Sequence, residues 1–358
     1  MAETVELARK MDETAGRAIP LLAICIPTHN RRKALEECLE SVLPQADALG
    51  VGVCVSDNGS SDGTWQVLET LKRQYPWMQI TCHTRNIGYR DNLTGAVLSS
   101  RAQYVWPMGD KLVLLPGALE FLVAEPARLH SDAVVVNGWI YHLVVSNGER
   151  IERIYSTPQS CLTELGWWTT LCGATVLPRQ AWIDVLHVQP LNKDFPQVVA
   201  LFSYLASLST PRVLFSGRVL IQAGMSATEN HVVNSYADRT LEVWGRNWYD
   251  AVMSLPALYS TNDKLQVVRS LSEHEGNLGL LQLILLRWKG ELTLQRLNAD
   301  QVPLRAAVAV PWWSVVIISV LPRSMLSLVH CMHPFRLLRA MQRRLRLPHE
   351  QPAHRSIH

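Results

Sequence analysis

The sequence lacks the motifs that identify two large classes of nucleotide-binding protein. No G-x-G-x-x-G follows the first apolar run, and no G-x-x-x-x-G-K-[ST] occurs in the 358 residues. The first absence excludes the usual dinucleotide-binding fingerprint, and the second excludes a P-loop nucleotidase. Any nucleotide site in this chain must therefore be built from other residues.

Closely spaced cysteine pairs are also absent. The seven cysteines are scattered, without the spacing of a zinc or thiol redox motif. Cys25 and Cys54 lie inside apolar runs, where small buried thiols are expected. The first 20 residues are mixed and polar, without the apolar core of a secretory signal. These features predict a reducing, cytoplasmic setting.

Negative charge is scarce in the C-terminal region. From Arg323 onward there are seven arginines, no lysine and a single acid, Glu350. The formal net charge of the whole chain is only +3, which is too small to argue for a nucleic acid partner. The excess positive charge is concentrated in the tail, which predicts contact with an anionic surface.

A long, unbroken apolar span is not evident either. Residues 306–321 carry no charge over 16 residues, but they fall short of the roughly 20 needed for a straight membrane span, and Pro311 interrupts them. The basic amphipathic stretch 335–347 follows. An in-plane or re-entrant membrane helix, a buried helix and a true span are the open interpretations. Arginines beside apolar surface favour anionic lipid on the cytoplasmic side.

Strand-like and helical patterns alternate over the first 130 residues. Strands are expected at 21–26, 51–56, 79–83, 103–107, 133–137 and 139–145. Helices are expected at 35–43, around 67–71, at 89–99, from Pro116, and at 195–208, 238–256 and 278–288. Such alternation predicts right-handed crossovers and a mostly parallel sheet.

Polar loops follow three of the expected strands. These loops are residues 28–30, Asp57-Asn58 and Gly109-Asp110. The carboxyl ends of parallel strands meet at one edge of an open sheet, where such sheets bind ligands. A plain turn would explain Asn58-Gly59 alone. The convergence of three loops favours a binding site around Asp57.

Four segments, in this order and spacing, resemble family 2 glycosyltransferases with the GT-A fold. They are LLAICIPTHNRRKALEECLESVL, VSDNGSSDGT, NIGYRDNLTGAV and YVWPMGDKLVLLPGALEFL. The resemblance is nearest to the bacterial branch that builds lipopolysaccharide O-antigens and other surface polysaccharides. It is specific over residues 20–125, weaker to about 210 and general beyond. It implies an α/β fold, a Rossmann-like mixed sheet with helices on both faces, followed by a helical, membrane-apposed C-terminal region.

The resemblance also implies roles for individual residues. The first loop borders the nucleotide, Asp57 hydrogen-bonds the base or ribose, and the loop 86–92 lies beside the donor. Asp110 stands where the D-x-D motif of the family begins, and it is the expected ligand of a Mg²⁺ or Mn²⁺ ion bound to the diphosphate. The implied donor-binding set is Pro27, Thr28, Asn30, Asp57, Asn58, Asn86, Arg90, Asp91, Asn92, Gly109, Asp110 and Lys111.

At the acidic motif the chain departs from this family. Many members read GDDD, whereas this chain reads Gly109-Asp110-Lys111-Leu112. Three interpretations remain open. Asp110 joins a metal held mostly by the donor phosphates; or Lys111 itself pairs with the diphosphate; or the transferase is inactive.

A catalytic base is expected among three acids. Proton transfer from an acceptor hydroxyl needs a carboxylate within hydrogen-bond reach, and family members draw it from the region that here holds Glu164, Asp184 and Asp194. Asp194 is the first candidate, with a helix cap as its alternative. Glu164 is the second, and Asp184 is expected to be solvated. The Trp167-Trp168 pair fits either a sugar-stacking platform or core packing.

We divide the chain into five parts. They are a flexible leader (1–19), a donor-binding half (20–130), an acceptor-side half (131–230), a helical extension (231–300) and a membrane-associated region (301–358). The expected function is transfer of a sugar from a nucleotide sugar to a lipid-linked glycan in lipopolysaccharide, O-antigen or exopolysaccharide synthesis, peripherally on the inner face of the cytoplasmic membrane. The alternatives are a degenerate scaffold in a polysaccharide assembly complex and a polyprenyl-phosphate glycosyltransferase.

Overall fold

The computed structural model describes residues 19–124, 126–129, 131–139, 151–226 and 238–326. Three of the expected features therefore lie outside the described residues. They are nearly all of the leader, most of the strand expected at 139–145, and the basic stretch 335–347.

Four parallel strands form one half of the sheet, in the order β3-β2-β1-β4. The strands are β1 (Leu22–Thr28), β2 (Gly52–Asp57), β3 (Gln79–Cys82) and β4 (Tyr104–Pro107). The crossover helices are α1 (Arg32–Leu49), α2 (Thr64–Gln74) and α3 (Tyr89–Ser99). The predicted alternation is confirmed in this half.

The register of these strands brings their ends together. Thr28 lies opposite Asp57, and Asp57 lies opposite Cys82 on the next strand. Cys25 pairs with Pro107 of β4, so β4 also ends at this level. The predicted meeting of three loops at the carboxyl edge is therefore confirmed.

The other half of the sheet is mixed. Its strands are β5 (Leu112–Leu114), β6 (Ala133–Trp139), β7 (Arg153–Tyr155), β8 (Thr175–Pro178) and β9 (Val213–Ala223). The order continues β4-β8-β6-β9-β5, and β7 pairs with the start of β9. Since β8 is antiparallel to both neighbours, the whole sheet is mixed, as the resemblance implied, and not mostly parallel, as the alternation alone predicted.

Helices cover both faces of the sheet. Those of the first 210 residues are completed by α4 (Ala118–Val123), α5 (Pro126–Leu129), α6 (Pro158–Leu165), α7 (Arg179–Val188) and α8 (Pro196–Ala206). Alternate residues of a strand point to opposite faces. Ile24 accordingly joins the core under α1, whereas Cys25 joins the core under α3 and α8. Cys25 and Cys54 are buried thiols, as predicted.

The helical extension packs on the face that α8 covers. It consists of a π-helical turn (Leu241–Asn247), α9 (Trp248–Met253), α10 (Thr261–Glu275), α11 (Leu280–Lys289), α12 (Leu294–Ala299), α13 (Gln301–Ala307) and α14 (Trp312–Val320). The rings of Phe195 and Trp248 lie 5.2 Å apart between centroids, and the Tyr259 hydroxyl donates to the carbonyl of Phe202 at 2.8 Å. The extension and the sheet thus share one core.

Two helix boundaries differ from the predicted ones. α1 continues beyond Pro44 to Leu49 and ends where Gly50, at φ 68°, donates its N–H to the Ala46 carbonyl. Pro116 does not lie in the first turn of α4, since Gly117 at φ 73° is the residue before that helix.

Among the described residues no single helix has both the length and the apolar character of a membrane span. α13 and α14 meet that criterion only as a pair, with a bend of 118° between them.

Candidate active site

The loop after β1 is held by the loop after β2. Asn30 has a φ of 51°, a conformation that few residues other than glycine adopt. Its backbone N–H donates to the Ser60 hydroxyl oxygen at 2.8 Å, and its side-chain oxygen accepts from the Ser61 N–H at 2.8 Å. These two bonds fix the position of Asn30 at the carboxyl edge.

Asp57 is the last residue of β2, at the start of the second loop, and is fully buried. Its Oδ1 accepts hydrogen bonds from both the backbone N–H and the hydroxyl of Ser60. Gly59 completes the turn at φ 72°, and a Cβ there would lie 2.9 Å from the backbone of Arg85. Asp57 therefore shapes the turn that holds Asn30, and its direct contact with a base or ribose stays a prediction.

A ladder of amides joins the first, second and third loops. The Asn58 N–H donates to the Thr28 carbonyl at 2.9 Å, and the Asn58 side chain bonds Asn86 at 3.0 Å and the Ile87 N–H at 2.7 Å. Asn92 also donates to the Thr28 carbonyl, at 3.3 Å, while its buried Oδ1 has no hydrogen-bond partner. Leaving a buried hydrogen-bond acceptor unpaired costs about 1–3 kcal/mol. A ligand that donates a hydrogen bond to Oδ1 of Asn92 would therefore be stabilised there.

Asp110 is held by the loop after β1. Its Oδ2 accepts from the Thr28 hydroxyl at 2.9 Å, and its Oδ1 pairs with Nη1 of Arg31 at 3.0 Å. Burial, together with the nearby positive charge of Arg31, lowers the pKa of the Lys111 ammonium to about 8, against the opposing effect of Asp110. Arg31 and Lys111 thus place two cations beside one buried carboxylate.

The backbone around Asp110 is fixed on both sides. The Gly109 N–H donates to the Cys172 carbonyl at 2.9 Å, and a Cβ at Gly109 would lie 3.3 Å from that oxygen. The Lys111 carbonyl accepts from the Gly224 N–H at 2.9 Å, and Leu112 pairs with Ala223. The loop that carries Asp110 and Lys111 is therefore anchored to both the mixed strands and the 168–172 segment.

The predicted donor-binding residues divide into a buried floor and an accessible rim. The floor consists of Pro27, Thr28, Asp57, Asn58, Asn92 and Asp110. The rim consists of Asn30, Asn86, Arg90, Asp91, Gly109 and Lys111. Arg90 pairs with the adjacent Asp91 at 2.7 Å. A cleft of about 550 Å³ lies next to Asn30, lined by Asn30, Arg31, Arg32, Lys33, Ala34, Glu36, Asp62 and Ser226.

Asp194 precedes α8 and accepts from two side chains of the helical extension. The donors are Nδ2 of Asn247 at 2.6 Å and Nη2 of Arg239 at 3.2 Å. The helix-cap interpretation is wrong, because Phe195 is the residue before the helix and no side chain caps it. Oδ1 of Asn192 instead accepts from the N–H groups of Asp194 and Phe195.

A chain of contacts connects Asp194 to the carboxyl edge. Gln197, in the first turn of α8, donates to the Thr170 carbonyl at 2.8 Å. Thr170 lies shortly before Cys172, whose carbonyl binds Gly109. The start of α8 and the Gly109-Asp110 loop therefore flank the same segment of chain.

The structure does not bring Glu164 to this edge. Glu164 accepts from the Tyr155 hydroxyl at 2.9 Å, and Tyr155 pairs with Val213 at the start of β9. Lys111 contacts Gly224, just beyond the other end of this 11-residue strand, which spans roughly 30 Å. A catalytic role for Glu164 stays a prediction without support from its position.

The remaining residues of this region are structural. Asp184 is exposed on α7 and bonds Gln180 at 2.7 Å, in agreement with its expected solvation. Trp167 and Trp168 are buried; the Trp167 ring stacks on His274 at 4.1 Å between centroids, and Nε1 of Trp168 donates to the Val136 carbonyl. The prediction that Trp167 and Trp168 pack in the core is therefore confirmed, and the alternative prediction of a sugar-stacking platform is wrong.

The residues at Asp110 do not fit a divalent metal ion. Such ions take several oxygen ligands, most of them carboxylates or carbonyls. Both oxygens of Asp110 are engaged by Thr28 and Arg31, and Lys111 and Leu112 supply no carboxylate. In the described part of the chain, no three His, Cys, Asp or Glu side chains are grouped so that they could hold a metal.

Sequence reasoning missed four residues of the site. Arg31 was visible in the basic run Arg31-Arg32-Lys33 after the first strand, and Ser60 was visible in the second motif. Asn247 and Arg239 left no signal, since they are 53 and 45 positions from the Asp194 that they contact.

Residues 23–181 match the family model described as Glycosyl transferase family 2. Abequosyltransferase RfbV of Salmonella typhimurium is 33% identical over 104 residues, which are 28% of this chain and 31% of RfbV. Chondroitin synthase of Escherichia coli is 30% identical over 117 residues, which are 32% of this chain and 17% of the synthase. The aligned region thus spans less than a third of the length of these relatives.

Solved structures show the same fold. Residues 1–349 of S. aureus TarS superpose with a TM-score of 0.54 at 16% identity, over 80% of this chain and 83% of that chain. The same protein in complex with UDP-GlcNAc gives a TM-score of 0.55, over 80% of this chain and 81% of that chain. At this identity the likeness establishes the fold alone.

Proposed function

Because this chain belongs to glycosyltransferase family 2 and has a GT-A fold, we propose that it transfers a sugar from a nucleoside diphosphate sugar to an acceptor hydroxyl. The observation that carries the proposal is the meeting of four segments at one sheet edge. They are the loops after β1 and β2, the loop 86–92 and the Gly109-Asp110 loop. This edge is where open α/β sheets bind nucleotides.

The floor and rim suit the two parts of such a donor. The buried Oδ1 of Asn92, which has no hydrogen-bond partner, and the exposed side chain of Asn86 offer polar groups to a base or ribose. Cations at Arg31 and Lys111 suit the diphosphate. The nucleotide is thus expected along the loops of β1 and β2, with its phosphates directed towards Asp110.

Asp194 is proposed as the catalytic base. Its carboxylate is held by Asn247 and Arg239, and its helix starts beside the segment that binds Gly109. A positioned carboxylate takes the proton of the acceptor hydroxyl as the oxygen attacks the anomeric carbon. The bond between that carbon and the β-phosphate oxygen breaks, and its electron pair leaves with the nucleoside diphosphate.

The acceptor is proposed to be a lipid-linked glycan in bacterial surface polysaccharide synthesis. The support is the similarity to RfbV, named an abequosyltransferase, and to a chondroitin synthase. A polyprenyl phosphate is the alternative acceptor. A polyprenyl phosphate would attack through a phosphate oxygen, whereas a glycan attacks through a hydroxyl. The donor-binding site would be the same for both acceptors.

A membrane surface is proposed to meet α14. Three apolar side chains on this helix are at least half exposed: Trp313 at 66%, Val320 at 52% and Ile317 at 50%. Large exposed apolar patches mark interaction sites. In sequence, the residues from Arg323 onward have seven arginines and a single acid. Apolar and basic groups together suit a bilayer with anionic headgroups.

Vesicle flotation tests this surface. The full chain is expected to float with vesicles of phosphatidylglycerol and phosphatidylcholine, and to float less with phosphatidylcholine alone. The double variant Trp313→Ser, Ile317→Ser is expected to reduce flotation. Val188→Ser is the matched control, since Val188 is 86% exposed on α7, outside the patch. Equal flotation of all three proteins would refute the patch.

A donor screen tests the activity. The purified chain is incubated with UDP-, GDP-, CDP- and dTDP-sugars and with a native membrane extract, and free nucleotide is measured. Acceptor-dependent release of nucleotide is expected for one donor. The replacement of acids by Lys111 and Leu112 favours one rival, a catalytically inactive scaffold. Binding of a nucleotide without any turnover would support that rival.

A further inference from the structure

The carboxylate of Asp110 is already neutralised by this chain. Its side chain is 3% exposed, with one oxygen 2.9 Å from the Thr28 hydroxyl and the other 3.0 Å from the Arg31 guanidinium. A metal ion bound to either oxygen of Asp110 would lie within a few ångströms of the Arg31 guanidinium, which pairs with the other oxygen or with the same one. Like charges held so close together at a buried carboxylate repel, so the arrangement opposes a metal ion.

Arg31 has donors left for a second anion. A guanidinium carries five N–H donors in a planar fork, and the contact with Asp110 uses Nη1. The Arg31 side chain is 23% exposed, so the donors that Asp110 does not use are partly open to solvent. These donors can bind a phosphate beside Asp110 while Asp110 fixes the position of the guanidinium.

Lys111 supplies the second cation. The ammonium is close enough to Arg31 for the two charges to influence each other. Its backbone is anchored by the bond from Gly224 and by the pairing of Leu112 with Ala223. Two cations and one carboxylate leave a net charge of +1 at the position where the resemblance implied an acidic motif.

We propose that Arg31 and Lys111 bind the diphosphate of the donor directly and replace the divalent metal ion of the family. The inference rests on the proposed function. As the bond between the anomeric carbon and the β-phosphate oxygen breaks, negative charge grows on the nucleoside diphosphate. Fixed cations stabilise that charge, because charge-assisted bonds to phosphate are strong in a partly buried site. The acceptor proton goes to Asp194, and no further co-reactant is needed.

Calorimetry with UDP, GDP, CDP and dTDP tests the proposal without relying on turnover. One nucleoside diphosphate is expected to bind the full chain with the same affinity in EDTA and in MnCl₂. Binding that requires Mn²⁺ would overturn the metal-free site and leave the proposed function intact. Failure of all four to bind in both conditions would overturn the proposed function as well.

Substitution of Lys111 and of Arg31 tests whether these two cations bind the nucleotide. Lys111→Gln is expected to weaken nucleotide affinity about 10- to 100-fold, the loss of one charge-assisted hydrogen bond. Arg73→Gln, at the exposed end of α2, is the control for loss of a positive charge and is expected to change nothing. Equal affinities of the wild type and Lys111→Gln would overturn the role of Lys111. Arg31→Gln leaves Asp110 buried and unpaired, so thermal melting must accompany it.

Restoring an acid at position 111 tests the same proposal in the opposite direction. Lys111→Asp recreates a pair of acids at the motif and removes one cation. Its nucleotide affinity is expected to fall in EDTA and to recover when MnCl₂ is added, while the wild type ignores Mn²⁺. Electron paramagnetic resonance of Mn²⁺ gives a second readout, with nucleotide-dependent broadening expected for Lys111→Asp alone. The same broadening in the wild type would overturn the proposal.

Discussion

Asp110 and the start of the helix that follows Asp194 flank the same segment of chain, but the two carboxylates are held in different ways. Asp110 is 3% exposed and is bound by Thr28 and Arg31, both from the loop at the end of the neighbouring strand. Asp194 is 18% exposed and is bound by Asn247 and Arg239, both from the helical extension. One carboxylate is enclosed by the parallel half of the sheet. The other is presented by helices that follow the sheet in sequence.

The difference suits the two proposed roles of these carboxylates. A carboxylate that only positions cations works best when it is buried and fully paired. A general base must stay accessible to the hydroxyl whose proton it takes. The π-helical turn Leu241–Asn247 ends at the residue that donates to Asp194, and such turns are frequent at functional sites.

The largest effect is expected at Asp194. Asp194→Asn should lower kcat about 10²- to 10⁴-fold, the usual contribution of a positioned base, without changing nucleotide affinity. Turnover and calorimetry of the same preparation measure the two quantities. Asp184→Asn, on the exposed face of α7, is the control and should keep full turnover. Loss of activity in the control with retention in Asp194→Asn would reverse the assignment.

A variant of Asp57 tests whether this residue contributes to nucleotide binding or only to the stability of the fold. Asp57→Asn should reduce nucleotide affinity about 10- to 100-fold, because its carboxylate accepts both bonds from Ser60 and thereby positions Asn30. Calorimetry measures the affinity, and urea denaturation measures the free energy of unfolding. A lower unfolding free energy with unchanged affinity would leave Asp57 a purely structural role.

Asn247 tests the contribution of the helical extension. Asn247→Ala removes the 2.6 Å bond to Asp194 and should lower kcat about tenfold, equivalent to about 1.4 kcal/mol, at unchanged nucleotide affinity. Asn277→Ala, which removes a similar amide bond to Glu275, is the matched control. An equal loss of turnover in both variants would indicate general destabilisation and not positioning.

The smallest effect is expected at Arg239. Its side chain is 45% exposed, and solvent-exposed ion pairs contribute about 0.2–1 kcal/mol. Arg239→Gln should therefore lower kcat by a factor of about five or less. Added salt screens the ion pair, so it should lower the kcat of the wild type to a value close to that of the variant. A loss as large as that of Asp194→Asn would mean that Arg239 contacts the substrate.

The parallel half of the protein was predictable because its determinants are local. Apolar runs of strand length, helical periodicity and turn residues all lie within short segments, so β1 to β4 and the polar loops that follow them were found in sequence. The direction of β8 was not predictable. Strand orientation depends on which distant strand it pairs with, and Leu177 lies opposite Val105 only in the folded sheet.

The candidate site divides along the same line. Residue types and order placed Asp57, Asp110 and Lys111 at one edge, and the departure from the acidic motif was visible in the letters alone. No pattern in the sequence connects Arg31 to Asp110 or Asn247 to Asp194, which are 79 and 53 positions apart.

The fold family, the strand ends and the unusual lysine after Asp110 were predictable from the residues alone. Each of these features depends on residues that lie close together in the sequence. The charges that neutralise Asp110 and the groups that hold Asp194 follow from the folded structure. Electrostatic and hydrogen-bonding partners act within a few ångströms in space, and the fold sets that distance independently of separation along the chain.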